Sequence, residues 1–303
     1  MPLNNHWSSG FRAWLPEAGG LLAGALLLIS AAGCAAHEPA PRASVKDVSS
    51  VSELVLPFDA YKTTPEQRAI LGNAHNQLVV RCMRKKGTTI DLPEEDPVTI
   101  AAVDPGNSRR YGVSDTVAAK NFGYHLARLH FPDMTGAWAG KLSKPARHRL
   151  YGSAVDRGCL DKATLTLGKG AQKADWPWLA LQDSLTLEQA AKHPSVTEAV
   201  KRWQSCMSQA GHSYQAPEAA IADSRWKLDK PAISEKEKQV AFADTTCKWS
   251  SGLIAAWFAA DAELQRTLIR DNPERFAALR ANLKQRLARA SGLLAEDERG
   301  QVR

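Results

Sequence analysis

Two places in the chain set a cysteine beside a methionine. "CMRKKGTTIDLP" (82–93) and "CMSQAGHSYQAP" (206–217) share the spacing C-M-x-x-x-G-x-x-x-x-x-P. Thiolate and thioether are soft ligands that suit Cu(I), and paired thiols could exchange disulfides. Neighbouring helical residues, however, point about 100° apart, so Cys82 and Met83 do not converge on one ion. No C-x-x-C gives an exchanging thiol a near partner. His125 and His130 stand five apart, off the i,i+4 spacing of a helical zinc pair, and there is no H-E-x-x-H. The sequence therefore leads to no metal and no cofactor. "SRWK" (224–227) spaces a Ser and a Lys as a nucleophile and its base could be. The S-D-N and K-T-G partners of that pattern are missing, as is a G-x-S-x-G elbow, so no catalytic residue is assigned.

Binding side chains come next. Trp176 and Trp178 in "DWPWLAL" (175–181), with Trp226, are candidate ligand-facing aromatics for sugars or peptides. The competing reading packs tryptophans against disulfides, since Trp203 and Trp249 lie close to Cys206 and Cys247. Arg275, Arg280, Lys284, Arg286 and Arg289 crowd the last helical segment and suit anionic lipid or a cell-wall polymer. The formal charge is +7 with both signs interspersed, and no nucleic-acid motif accompanies it.

The elements that must hold these groups read as helices. Thr64, Pro65 and Gln67 form a start signal, an apolar face runs through Ala69, Ile70, Leu78, Val79 and Met83, and Gly87 is the stop. The chain from 88 to 114 reads as loop, Ser114 caps a short helix ("DTVAAKNF"), and 131–152 reads as a second irregular stretch. Ser195 and Glu198 make a capping box for a helix that carries Val196, Val200, Trp203 and Met207 to Gly211. Ser234 and Glu237 make another, for a helix turning Val240, Phe242, Ala243 and Cys247 inward, with a kink near Gly252. Asn272–Pro273 opens the last helix, striped by Phe276, Leu279, Leu283 and Leu287. No strand alternation persists, so the class is mostly α. At 303 residues with 44% apolar content, the chain is long enough for one large domain or two ordinary ones.

The N-terminus bears on compartment. Residues 18–36 carry no charge, and their apolar heart (21–29) has the length of a signal h-region. "SAAGC" (30–34) resembles the lipobox of bacterial lipoproteins, which implies a signal peptide at 1–33 and a lipid on Cys34. An ordinary cleaved signal, giving a secreted protein, and a single-span membrane anchor are the alternatives. Residues 34–56, rich in Pro, Ser and Ala, read as a flexible tether. With Cys34 set aside, four cysteines remain, an even number in an exported chain, and four cysteines allow three pairings. The repeat narrows them. Each C-M-x-x-x-G copy is followed by a D-x-x-C: Asp156 to Cys159, and Asp244 to Cys247. The economical pairing is Cys82–Cys159 and Cys206–Cys247, each worth about 4 kcal/mol in the chain-entropy model.

The paired Cys motifs, "RRYGVSD…NFGYHL" (109–126) and "FADTTCKWSSGL" (242–253) resemble a group of uncharacterised exported proteins, often lipoproteins, of high-GC Gram-positive bacteria. The resemblance implies an extracytoplasmic location and disulfides, and supplies no catalytic residue. The expectation is two disulfide-stapled helical units, at 57–172 and 173–303, with long irregular loops and a long C-terminal helical arm. The function expected is a non-catalytic binding or interaction module of the cell envelope. The alternative is a cell-envelope hydrolase or other cell-wall-active enzyme whose site the sequence does not identify.

Overall fold

The Thr64 hydroxyl accepts from the Gln67 amide, and the Gln67 side chain accepts from the Thr64 amide. Helix α1 (Pro65–Lys85) thus begins with the capping box written in its sequence. This computed structural model describes residues 48–126 and 137–301. The expected signal peptide (1–33), Cys34, most of the expected tether and His130 lie outside the described residues. Short helices α2 (Pro97–Val103), α3 (Thr116–Phe122), α4 (Ala137–Gly140) and α5 (Lys144–Tyr151) lead to α6 (Cys159–Gly168). The second half carries α7 (Trp176–Ala191), α8 (Pro194–Gln209), α9 (Pro217–Ile221) and α10 (Glu235–Ser250). It closes with α11 (Leu253–Asp271) and α12 (Pro273–Gln301). No strand occurs among the described residues, and no helix there is long and apolar enough to cross a membrane.

Both copies of the Cys–Met motif end their helices in the same way. Gly87 and Gly211 take φ of 72° and 80°. The next amide reaches back to the methionine carbonyl: Thr88 N to Met83 O at 2.9 Å, His212 N to Met207 O at 2.8 Å. This is a Schellman stop, which needs a left-handed residue that glycine adopts without a Cβ clash. Met83 and Met207 are fully buried, and the cysteines are bonded as Cys82–Cys159 and Cys206–Cys247, with Cα atoms 5.7 and 5.6 Å apart. The D-x-x-C halves diverge. Asp156 lies on an exposed turn facing Lys86 and Lys162, and Cys159 opens α6. Asp244 is fully buried one turn before Cys247 inside α10.

The core is not divided at residue 172. The largest apolar cluster joins Val48, Leu54 and Leu56 to Tyr111, Tyr124, Trp203, Val240 and Ile254. Residues 48–56, part of the expected tether, are therefore built into the fold. Val79, Met83, Leu150 and Cys159 form a second cluster. Phe58 and Tyr61 pack on Phe276 of α12 in a third. Ala74 of α1 and Leu167 of α6 meet Ala290 of α12 in a fourth. The described residues belong to one compact unit, Val45–Arg303.

Four local expectations change. His193 caps α8 in place of Ser195, because Pro194 takes the first helical position, where its missing N–H costs nothing. Asp115 caps α3 in place of Ser114, whose carbonyl instead accepts from the Trp249 indole. The irregular stretch 131–152 contains α5, capped by Ser143 with Pro145 in its first turn. Phe242 is 43% exposed, because the inward stripe of α10 is Glu237, Val240, Ala241, Asp244, Thr245 and Lys248. That is a regular helical face, but with Cys247 added four of its seven buried residues are polar.

Candidate functional site

The polar residues of that stripe organise a buried network, in which Glu237 Oε2 has no hydrogen-bond partner among the described residues. Asp244 accepts from the Trp203 indole (3.0 Å), the Lys248 ammonium (2.7 Å) and the Tyr124 hydroxyl (3.3 Å). Burial raises the carboxyl of Asp244 above its ordinary range, and Lys248 opposes that shift. Burial also pushes the Tyr124 hydroxyl far up, and Asp244 adds to the effect. Two turns earlier, Glu237 takes the Tyr124 amide at 2.9 Å and lies 2.8 Å from His125 Nδ1. The other His125 nitrogen sits 3.0 Å from the Lys230 carbonyl. Two glycines make room for these charges. A Cβ on Gly112 would lie 2.6 Å from Lys248 Nζ, and one on Gly123 would lie 2.5 Å from Glu237 Oε1. The "RYGV" and "NFGY" glycines are thus seats for buried charged side chains.

A second network locks the "RRYG" segment onto α11. Arg110 pairs with Asp261 (2.6 Å) and with Asp183 (3.0 Å). The Tyr111 hydroxyl donates to Asp261 at 3.0 Å. Gln265 donates to Asp261 and accepts from the Phe58 amide at 2.9 Å, which fixes the Pro57–Tyr61 turn. Such charges survive burial because each is paired and hydrogen-bonded. Both networks join segments far apart in sequence.

The open surface lies elsewhere, along α12. One groove of about 650 Å³ is lined by Thr164, Gly168, Lys169, Trp176, Asn282 and Arg286, among others. A second, about 310 Å³, shares Trp176 and Arg286 and adds Tyr61, Leu179 and Leu283. A third, about 490 Å³, shares Lys169 and runs past Gln285 and Arg289. The first and third are walled by the α6–α7 turn, which α12 holds in place, and the second by residues 61–63 and α7. The Gln172 amide donates to Gln285, its carbonyl accepts from Asn282, and the Lys169 carbonyl accepts from Arg289. Neither Glu237, Asp244 nor Asp261 lines any of the three grooves.

The three candidate tryptophans separate. Trp176 lines two grooves, its indole donating to Asn282 at 3.3 Å. Trp178 is committed to packing, edge-on to Phe276 and beneath Arg275. Trp226 is 2% exposed, donates to the Ala220 carbonyl and stacks near Tyr124. It belongs to the core and is not ligand-facing. The five α12 cations also separate, since positions 275, 286 and 289 lie on one edge of the buried stripe and 280 and 284 on the other. Arg275 stacks on Trp178 and Arg280 on Tyr61. Arg289 braces the turn, Lys284 is exposed, and Arg286 stands in the grooves. Ser224 lies in a 3-10 turn and Lys227 is left-handed, so "SRWK" is not a helical pair. Among the described residues no cluster of His, Cys, Asp and Glu could hold a metal ion. No family model, curated protein or solved structure matches the chain.

Proposed function

We propose that this protein is a non-catalytic binding module of the cell envelope, displayed outside the membrane by a lipid on Cys34. The observation that carries the reading is the pair of core disulfides, Cys82–Cys159 and Cys206–Cys247. Such cross-links persist in oxidising, extracytoplasmic compartments. The uncharged segment before Cys34 agrees with export. The placement of charge supports binding over catalysis. The carboxylates of Glu237, Asp244 and Asp261 are buried in their networks, while the open grooves offer an aromatic ring, cations and, as acids, only the ion-paired Asp183 and Glu296.

The anchor is tested by Cys34→Ala in the native host, followed by membrane fractionation and detergent phase separation. The parent chain is expected in the membrane and the detergent phase, and the variant in the aqueous or secreted fraction. A variant that stays fully membrane-bound would contradict lipidation and favour a spanning anchor.

A further inference from the structure

We propose that the trough between α12 and the α6–α7 turn binds a linear, acidic glycan. The proposal deepens the binding-module reading and rests on it. The three grooves follow one another along α12 and share lining residues. Trp176 and Arg286 belong to the first two, and Lys169 to the first and third. From Leu283 to Glu296 the trough follows about 20 Å of α12, at 1.5 Å per residue. That shape suits an extended chain better than a compact metabolite.

Its chemistry has two parts. Trp176 is half-buried, its indole N–H held by Asn282, so the ring is fixed as a platform beside Leu179 and Leu283. A rigid aromatic face beside apolar side chains takes the C–H face of a sugar ring at little entropic cost. Cations line the same walls. Arg286 has no hydrogen-bond or ion-pair partner among the described residues, although it stands between two grooves. Lys169 and Arg289 follow along the trough, with Glu296 the acid at its far end. Lys62 and Asp183 at the near end already pair with each other, so they add little net charge. The excess is positive, and guanidinium recognises carboxylate or phosphate by paired hydrogen bonds.

A lipid surface fits less well. It would call for a convex face of free cations, whereas Arg275 and Arg280 are spent on Trp178 and Tyr61, and Arg286 lies inside a concavity. The braces from Gln285, Asn282 and Arg289 keep the wall preformed, which lowers the ordering cost of binding.

The test uses the full chain carrying Cys34→Ala, so that a lipid anchor contributes nothing. Linear oligogalacturonate is titrated with calorimetry and tryptophan fluorescence as readouts. Neutral maltooligosaccharide of equal length and phosphatidylglycerol vesicles are the comparisons. The acidic oligomer is expected to bind, with affinity falling as salt rises, and the neutral one to bind about tenfold more weakly or worse. Trp176→Ala and Arg286→Ala should each weaken binding by about tenfold. Arg286→Ala removes a side chain with no hydrogen-bond or ion-pair partner among the described residues and should leave the melting temperature unchanged, so its loss of binding reports the site. Equal affinity in both variants overturns the proposal, as does binding to vesicles that oligogalacturonate cannot displace. Sedimentation with isolated cell envelopes separates the two readings. If Trp176→Ala/Arg286→Ala protein sediments as the parent does, the trough fails and the binding-module reading stands. If neither sediments, the binding-module reading itself fails.

Discussion

Glu237 shows how a residue's local grammar and its tertiary role can part. It stands three residues after Ser234, where a capping box is expected, and its amide does donate to the Ser234 hydroxyl at 3.1 Å. Its carboxylate turns the other way, onto Tyr124 and His125, more than a hundred residues away in sequence. Nothing near position 237 could announce that partner. The same holds for Lys248, an ordinary helical lysine in sequence and fully buried against Asp244. Removing one member of a buried pair leaves the other charged and unpaired, at about 3–5 kcal/mol. Lys248→Met should therefore lower the melting temperature by about 10 °C. The sign of its pH dependence follows from Asp244, whose carboxyl is already raised above 3.8 by burial. Without the opposing ammonium it rises further, so above pH 3.8 the native state holds a proton that the unfolded chain has released. That stabilisation is present at low pH and is lost as pH climbs through the raised value. The gap in melting temperature between parent and Lys248→Met should thus narrow from about pH 7 to about pH 4.5. A pH-independent gap would show that Asp244 does not titrate in the variant.

Helix ends were the most legible elements. Thr64, Gly87, Gly211 and Ser234 mark boundaries through hydrogen bonds made within a few residues, and Pro273 through its fixed φ at the first helical position, so sequence order alone displays them. The Cys–Met motif is legible for the same reason, being a helix stop with a staple and a filler. Its partners are less so, because Cys159 begins α6 whereas Cys247 lies in the last turn of α10. The two staples should differ in consequence. Each closes a loop worth about 4 kcal/mol in the chain-entropy model. Cys206–Cys247 joins helices that Trp203 and Asp244 also join. Cys82–Cys159 closes a 77-residue separation containing short helices and irregular turns around a small core. Cys82→Ser/Cys159→Ser should lose hydrogen-exchange protection within 88–103 and 137–158 and retain it in 110–125, α8 and α10. Uniform loss across the chain would refute this local role.

At the scale of the molecule, the two halves suggested by the repeat share their interior. Residues 106–126 contribute Tyr111, Val113, Ala119 and Tyr124 to the core around α10 and α11, and α1 and α6 meet α12 through Ala74, Leu167 and Ala290. A fragment spanning 57–172 would expose those faces. It is expected to show no cooperative thermal transition by circular dichroism, and a sharp transition would mean that the first half folds alone. The trough is likewise a product of assembly, since Trp176 begins α7 and Arg286 sits mid-α12, brought together only by packing. Sequence order alone displays the helical class, the caps Thr64 and Ser234, the stops Gly87 and Gly211, and the pairing of four cysteines through their repeat. All of these rest on short-range geometry or on residue identity. Only the assembled fold turns charges on α10 inward, makes Trp226 core while Trp176 lines a groove, and divides the cations of α12 among stacked, bracing and groove-lining positions. Those outcomes depend on which distant segment covers each helical face, and short-range patterns carry no record of that.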